Sequence, residues 1–288
     1  MTAEAAREEM IDMLRAIGLS CRKPVTVYII GGGALMMRGL KASTKDLDIA
    51  MAVSTYAIDL VEALGSLGFR VNFRGTEHTV SSPLGRYRGF LVDLFVGRIC
   101  DGLMLTDSMR GRAEDVLTAG PVKFMMLSKE DIFLLKSITE RDRDLQEMAD
   151  LLRSGLNGRT ILDECAIQDS LEALPTPRSW MNYLAVRLEE LQETMGAVIP
   201  WKKDAIRSAE LRTGSWMALF KVHEGHVTVG AISAALGIDQ RHVRQYLALL
   251  EKEGRVAADR GGRPVRYRAS GSVDAAGPVE PGCAGGQT

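Results

Sequence analysis

Between residues 25 and 30 the chain runs apolar, Val-Thr-Val-Tyr-Ile-Ile, and then breaks at Gly31, Gly32 and Gly33. A short apolar, β-branched run bounded by glycine predicts a buried strand, and residues 34–38 after it predict a short helix. Polar and apolar positions alternate at Asp46-Leu47-Asp48-Ile49, the pattern of a half-buried strand. A third apolar run, residues 90–96, carries one acid, Asp93. Upstream, Met10, Ile11, Leu14 and Ile17 recur at helical spacing, predicting a helix over 3–17. Downstream, Tyr56, Leu60, Leu64 and Leu67 predict a helix over 55–67, followed by strands at 69–73 and 121–127. Residues 75–89 are polar and read as a loop carrying Arg86 and Arg88, which either hold phosphates or are solvated loop charges. Ser128 then caps a helix, with Asp131 as its acidic partner three residues later. Strand and helix alternate, which predicts an α/β unit.

The alternation has a chemical consequence. Successive side chains of a strand point to opposite faces, so Asp46 and Asp48 point the same way while Leu47 and Ile49 face a core. Like charges held close repel and raise each other's pKa, unless a cation lies between them. Asp93, in an otherwise apolar strand, also needs a partner. A divalent metal held by Asp46, Asp48 and Asp93 satisfies all three.

The glycine break, the Asp-x-Asp about a dozen residues on and the lone Asp on a later strand resemble the nucleotidyltransferase superfamily that includes DNA polymerase beta. The flanking Thr44-Lys45-Asp46-Leu47-Asp48 looks most like its small prokaryotic branch of toxin-type and abortive-infection-type enzymes. The resemblance covers roughly the first half of the chain. It implies Mg²⁺ or Mn²⁺ on Asp46, Asp48 and Asp93, a nucleoside triphosphate against Gly32, Gly33 and Lys45, and nucleotidyl transfer to a hydroxyl, with Asp93 also as general base. The run Lys136…Arg141-x-Arg143-Asp144 is similar to the helix that follows the third acid in that branch, and implies Lys136 as a triphosphate contact and catalytic residue. By spacing, Lys136, Glu140, Arg143 and Asp144 share one helical face, which also fits a solvated ion-pair ladder. As a dinucleotide fingerprint the glycines fail, since Met36 stands where a third spaced glycine belongs.

The chain's second half reads differently. Residues 156–211 are helical, with Pro175 and Pro177 at a joint. Trp180, Leu184, Leu188, Leu191 and Met195 form an apolar stripe on a helix over 179–196, either a homodimer seam or a face packed on its own domain. From Gly214, helices are predicted at 215–223, 229–236 and from Asp239 to 253, with a tight Leu-Gly-Ile-Asp turn between the last two. Two short strands, 255–258 and 265–269, flank Gly261 and Gly262. Helix-turn-helix plus hairpin resembles the winged-helix family, which implies DNA or RNA binding, or protein docking. Gln240, Arg241 and Arg244 face outward at the start of the third helix, where recognition helices meet base edges. Arg263 and Arg266 sit in the hairpin with Arg260 and Arg268. Across 213–270 nine Lys/Arg stand against five Asp/Glu, a local excess of four positive charges suited to a phosphate backbone.

Composition sets the remaining bounds. The 288 residues are 46% hydrophobic, enough for one large or two ordinary domains, and the net charge of −1 leaves any nucleic-acid face local. Four dispersed cysteines without metal-ligand spacing favour reduced thiols in a cytoplasm. No stretch approaches the apolar length needed to span a bilayer. The expected architecture is an α/β (α+β) nucleotidyltransferase fold with a mixed sheet over 1–155, a helical extension over 156–212, a winged helix-turn-helix domain over 213–270, and a disordered tail over 271–288. The expected function is metal-dependent transfer of a nucleoside monophosphate to a nucleic acid, tRNA among the candidates, or to a protein. The competing expectation is a DNA-binding regulator whose first domain only senses nucleotide or mediates oligomerisation.

Overall fold

The computed structural model describes residues 3–44, 46–74, 79–81, 87, 90–99, 102–139, 141–171 and 179–270. It is a mixed α/β structure of two compact units, the first made of Met1–Leu171 and Trp180–Ser208, the second of Glu172–Ser179 and Ala209–Thr288.

The first unit is built on a seven-stranded mixed sheet. Its strands are β1 (Val25–Ile29), β2 (Asp46–Met51), β3 (Arg70–Arg74), β4 (Thr79–Ser81), β5 (Leu91–Val96), β6 (Glu114–Ala119) and β7 (Val122–Met126), in the order β4-β3-β5-β2-β1-β7-β6. The central pairs β1 with β7, β2 with β5 and β3 with β5 are parallel, and β1 with β2, β3 with β4 and β6 with β7 are antiparallel. Leu47 and Ile49 of β2 and Val92 and Leu94 of β5 are fully buried, so one face of these strands is fixed against the core. Helices α1 (Ala3–Ser20) and α3 (Ala57–Ser66) supply much of the cover, with Met10, Leu14, Ile17, Leu60 and Leu64 buried.

Several elements differ from the sequence reading. The glycines do not separate strand from helix: α2 (Gly31–Met37) begins on them, with Gly31 at φ +58°, a conformation glycine adopts without a Cβ penalty. Part of the stretch read as a loop is strand β4, paired with β3; Arg86 and Arg88 lie outside the described residues. Helix α4 (Asp107–Arg112) and strand β6 were not visible as periodic segments.

The single charged helix expected after Ser128 is two helices, α5 (Lys129–Ser137) and α6 (Asp142–Arg153). Ser128 caps α5 as expected, accepting from the Asp131 amide. The chain reverses at Ile138 and Thr139, where the Thr139 hydroxyl donates to the Lys136 carbonyl and to the Asp144 carboxylate, local bonds that compete with helix continuation. The single shared face of Lys136, Arg143 and Asp144 therefore does not exist; Glu140 lies outside the described residues.

Helices α7 (Gly158–Leu171) and α8 (Trp180–Met195) pack within the first unit rather than forming a separate extension. Leu184, Leu188 and Leu191 of α8 are buried on a helix packed against α5, α6 and α7, so of the two readings of the stripe it is the face packed on its own domain that the structure shows.

Helix α9 (Lys202–His223) is 22 residues long, and what reads as a short helix at 215–223 is its second half. The second unit adds α10 (Val229–Leu236), α11 (Gln240–Lys252), β8 (Val256–Asp259) and β9 (Arg266–Ala269), the strands forming an antiparallel pair. Its core is Ala218, Leu219, Val222, Ile232, Val243, Leu247, Leu250 and Val256. Thr228 and Asp239 cap α10 and α11, and Gly237 closes α10 in the left-handed region, φ +66°, which sets the tight turn between them. Among the described residues no helix is long and apolar enough to cross a membrane.

Candidate active site

A cavity of about 450 Å³ opens at one end of the central strands, lined by Gly31, Gly32, Lys41, Thr44, Asp46, Asp48, Asp93, Lys136, Arg141, Arg143, Asp144 and Glu147, among others. Asp48 and Asp93 are register partners on the neighbouring parallel strands β2 and β5. Asp46, two residues before Asp48, projects from the same face. The sheet thus brings together the three acids singled out in the sequence. Asn72 of β3 continues the row as the register partner of Asp93 on its other side.

The electrostatic cost of this arrangement falls on Asp48. Burial pushes its carboxyl up to about 6, repulsion from Asp93 and Asp46 adds to the rise, and a hydrogen bond from the Gly32 amide and the charge of Lys136 oppose it.

The glycines divide by role. A Cβ on Gly31 would collide with the Asp48 carboxylate. One on Gly32 would stand 3.0 Å from Thr44 Oγ1 and 3.2 Å from Lys41 Nζ. Gly33, expected against phosphates, faces the core instead, where a Cβ would meet Ile29, Leu47 and Met10. Of the predicted pair only Gly32 lines the cavity, and its amide is engaged by Asp48. Thr44 holds the approach to β2, its hydroxyl donating to the Asp46 carbonyl at 3.0 Å. Lys45 lies outside the described residues.

The basic residues that line the cavity are largely neutralised. Lys136 is 7% exposed. Its Nζ lies 3.1 Å from Asp144 Oδ1 and also pairs with Glu147 Oε2. The other oxygen of Glu147 accepts from Lys41 Nζ at 2.6 Å. Burial by itself raises the Asp144 and Glu147 carboxyls, but Lys136, with Thr139 and Arg141 at Asp144 and Lys41 at Glu147, holds both below the usual carboxylate range. Lys136 therefore stands where the sequence placed it, at the cavity, but already carries two anionic partners. Arg141 and Arg143 are exposed at the rim, on the first turn of α6. Sequence reasoning missed Gly31, Lys41, Thr44, Thr139 and Glu147; Lys41 and Glu147 meet across 106 residues, which leaves no local pattern.

Among the described residues no three His, Cys, Asp or Glu side chains stand close enough to form a ready-made metal cage. The expected three-carboxylate cage is accordingly not preformed. The donors nevertheless suit a hard cation: Asp48 and Asp93 are neighbouring carboxylates with Asp46 beside them. Mg²⁺ is commonly held by one or two carboxylates together with substrate phosphates and water rather than by an all-protein cage.

In the second unit, α11 turns Val243, Leu247 and Leu250 inward and leaves Gln240, Arg241 and Arg244 exposed. Strand β9 alternates likewise, with Arg266 and Arg268 exposed and Tyr267 and Ala269 packed on the core. Arg263 is exposed in the turn before it, whereas Arg260 is engaged by both oxygens of Glu251, at 2.7 and 2.8 Å. The basic residues expected at a nucleic-acid face thus share the exposed surface of α11 and the hairpin.

Neither any protein-family model nor any curated protein matches this chain.

Proposed function

We propose that the first unit is a metal-dependent nucleotidyltransferase of the polymerase-beta type, acting on a nucleoside triphosphate. The observation that carries this reading is the pairing of Asp48 with Asp93 on adjacent strands, beside Asp46, at a cavity also lined by Lys41, Lys136, Arg141 and Arg143. A fold with no cation to bind has no use for a carboxylate such as Asp48, raised by burial and by the charges of its two acidic neighbours.

Mg²⁺ or Mn²⁺, when bound, would supply charge neutralisation at the phosphates and would lower the pKa of the attacking hydroxyl. The residues supply the rest. Asp46, Asp48 and Asp93 would hold the cation, and Asp93 would accept the proton of the acceptor hydroxyl. That oxygen forms a bond to the α-phosphorus while the bond from the α-phosphorus to the bridging oxygen breaks, and pyrophosphate leaves. Arg141 and Arg143 line the rim towards which the phosphates extend. Lys136, buried between Asp144 and Glu147, positions the wall and adds its field to the transition state.

The second unit is proposed as a winged helix that brings a nucleic acid to the enzyme, with Gln240, Arg241, Arg244, Arg263 and Arg266 as contacts. Its three helices, glycine-containing turn and basic hairpin support this.

A second reading is favoured by the neutralised Lys136 and the absence of a preformed cage among the described residues: a DNA-binding regulator whose first unit senses nucleotide. The two are separated by incubating the protein with each α-labelled nucleoside triphosphate, Mg²⁺ and total cellular RNA. Label on RNA or on protein in wild type, but not in Asp46→Ala/Asp48→Ala, supports the transferase. No transfer from a protein that still binds Mg²⁺ and duplex DNA supports the regulator. Preference of the protein for structured RNA over duplex DNA would point to transfer RNA as acceptor.

A further inference from the structure

Resting on the transferase reading, we propose that Lys41, held in the ligand-free state by Glu147, is the cation that the nucleotide's triphosphate recruits. Glu147 thereby competes with the substrate for it.

Lys41 and Lys136 share one carboxylate and differ in everything else. Lys136 is buried and paired with two acids, the buried Asp144 and the half-buried Glu147, so withdrawing it would break two ion pairs at once. The Lys41 side chain is one-third exposed, and the ion pair it makes is with Glu147. Of the two, Lys41 is the ammonium that moves at low cost.

Its position suits a phosphate. The Lys41 ammonium lies over Gly32, 3.2 Å from where a Cβ would stand, and the next group along is Asp48, which accepts the Gly32 amide. Contacts link these groups in turn: Asp93 pairs with Asp48 across β5 and β2, Asp48 accepts the Gly32 amide, Lys41 lies over Gly32, and Glu147 joins Lys41 to Lys136. Phosphates bound from the cation-binding carboxylates along the glycine turn come within reach of Lys41. Gly32 leaves room for it, since any side chain there would meet Lys41 Nζ and Thr44 Oγ1. An arriving polyanion offers Lys41 several charge-assisted acceptors in place of one carboxylate. Glu147 keeps Lys136 when Lys41 leaves, so it is never without a cation.

The test is calorimetric titration of the full chain with a non-hydrolysable nucleoside triphosphate and with inorganic tripolyphosphate, each with Mg²⁺, alongside thermal melts of every variant. Lys41→Ala is expected to weaken both ligands about ten-fold, and Lys41→Arg to restore most of that. Glu147→Gln is expected to tighten both several-fold by releasing Lys41, and the gain is expected to vanish in Lys41→Ala/Glu147→Gln. Unchanged affinity in Lys41→Ala overturns the inference while leaving the transferase reading intact, because wild type still binds. A Glu147→Gln gain that persists without Lys41 also overturns it, since Glu147 would then act only as bulk negative charge. Wild type that binds neither ligand overturns the transferase reading and this inference together. Melting temperatures within a few degrees of wild type distinguish lost contacts from lost fold, and Lys41→Arg keeps the test decisive where Lys41→Ala melts early.

Discussion

Gly31 is packed so tightly on the carboxylate of Asp48 that even a methyl group at residue 31 has no room. Its φ of +58° adds a second obstacle, since L side chains adopt that region at a cost on the order of 1 kcal/mol or more. Gly31→Ala is expected to push the Asp48 carboxylate away from its place beside Asp93, lowering stability by about 1–3 kcal/mol. Binding of Mg²⁺ and nucleotide would fall in parallel. Urea denaturation and calorimetry check it; a variant with wild-type stability and affinity would contradict this account of the turn.

The raised pKa of Asp48 makes a signed prediction. Its folded value, about 6, lies above its ordinary 3.8. Between the two the native chain binds more protons than the unfolded one, so this group's contribution to stability falls as pH rises through that window and is flat above it. Asp48→Asn is expected to remove that slope and, without divalent cations, to be the more stable protein near neutral pH by about 1–3 kcal/mol. Added Mg²⁺ should stabilise wild type near neutral pH, lose that effect in acid as the carboxyl protonates, and leave Asp48→Asn unmoved. Melting curves across pH with and without Mg²⁺ are sufficient.

Lys136 makes the opposite case, a cation that stabilises. Removing it as Lys136→Met leaves the buried Asp144 without its main cation and Glu147 with Lys41 alone, and the expected loss is about 2–4 kcal/mol. Both carboxyls are held below their ordinary range, so the stability they contribute is present above the unfolded carboxylate pKa and lost as pH falls through their folded values. The deficit of Lys136→Met relative to wild type is therefore expected to shrink in acid. Denaturant titration at acid and neutral pH measures it.

What the sequence made legible was whatever local alternation or a turn signal encodes. The acids of β2 and β5 were legible because each interrupts a regular apolar pattern, and the turn before α11 because Gly237 and Asp239 are strong local punctuation. The break between α5 and α6 was not, because Thr139 ends α5 through side-chain bonds to Lys136 and Asp144 that helical spacing does not report. Nor was the role of Gly31 rather than Gly33, since which of three consecutive glycines faces the acids depends on the angle at which α2 leaves β1. Lys41 and Glu147 belong to segments that meet only when the fold is complete.

For the second unit the test is salt. If α11 and the hairpin lie against a duplex backbone, Arg263→Ala and Arg266→Ala should each lower affinity across all DNA sequences and make the slope of log K against log salt shallower by about 1. Arg244→Ala, on α11, should instead narrow the difference between preferred and random sequences. Arg260, engaged by Glu251, is expected to contribute less to the slope than either hairpin neighbour. Fluorescence anisotropy over a range of salt concentrations resolves these cases.

The register of β2 against β5 has a consequence for anyone redesigning this site. Leu47 and Ile49 lock one face of β2 into the core, so an acid on that strand can be relocated only in steps of two residues. One such step along a strand moves the carboxylate by roughly 7 Å, more than the reach of a metal–oxygen bond, so no small adjustment is available. The separation of the carboxylates comes in discrete settings. Retuning the site to a larger cation has to be done by exchanging Asp for Glu at these positions, or through the groups around them, not by sliding the ligands.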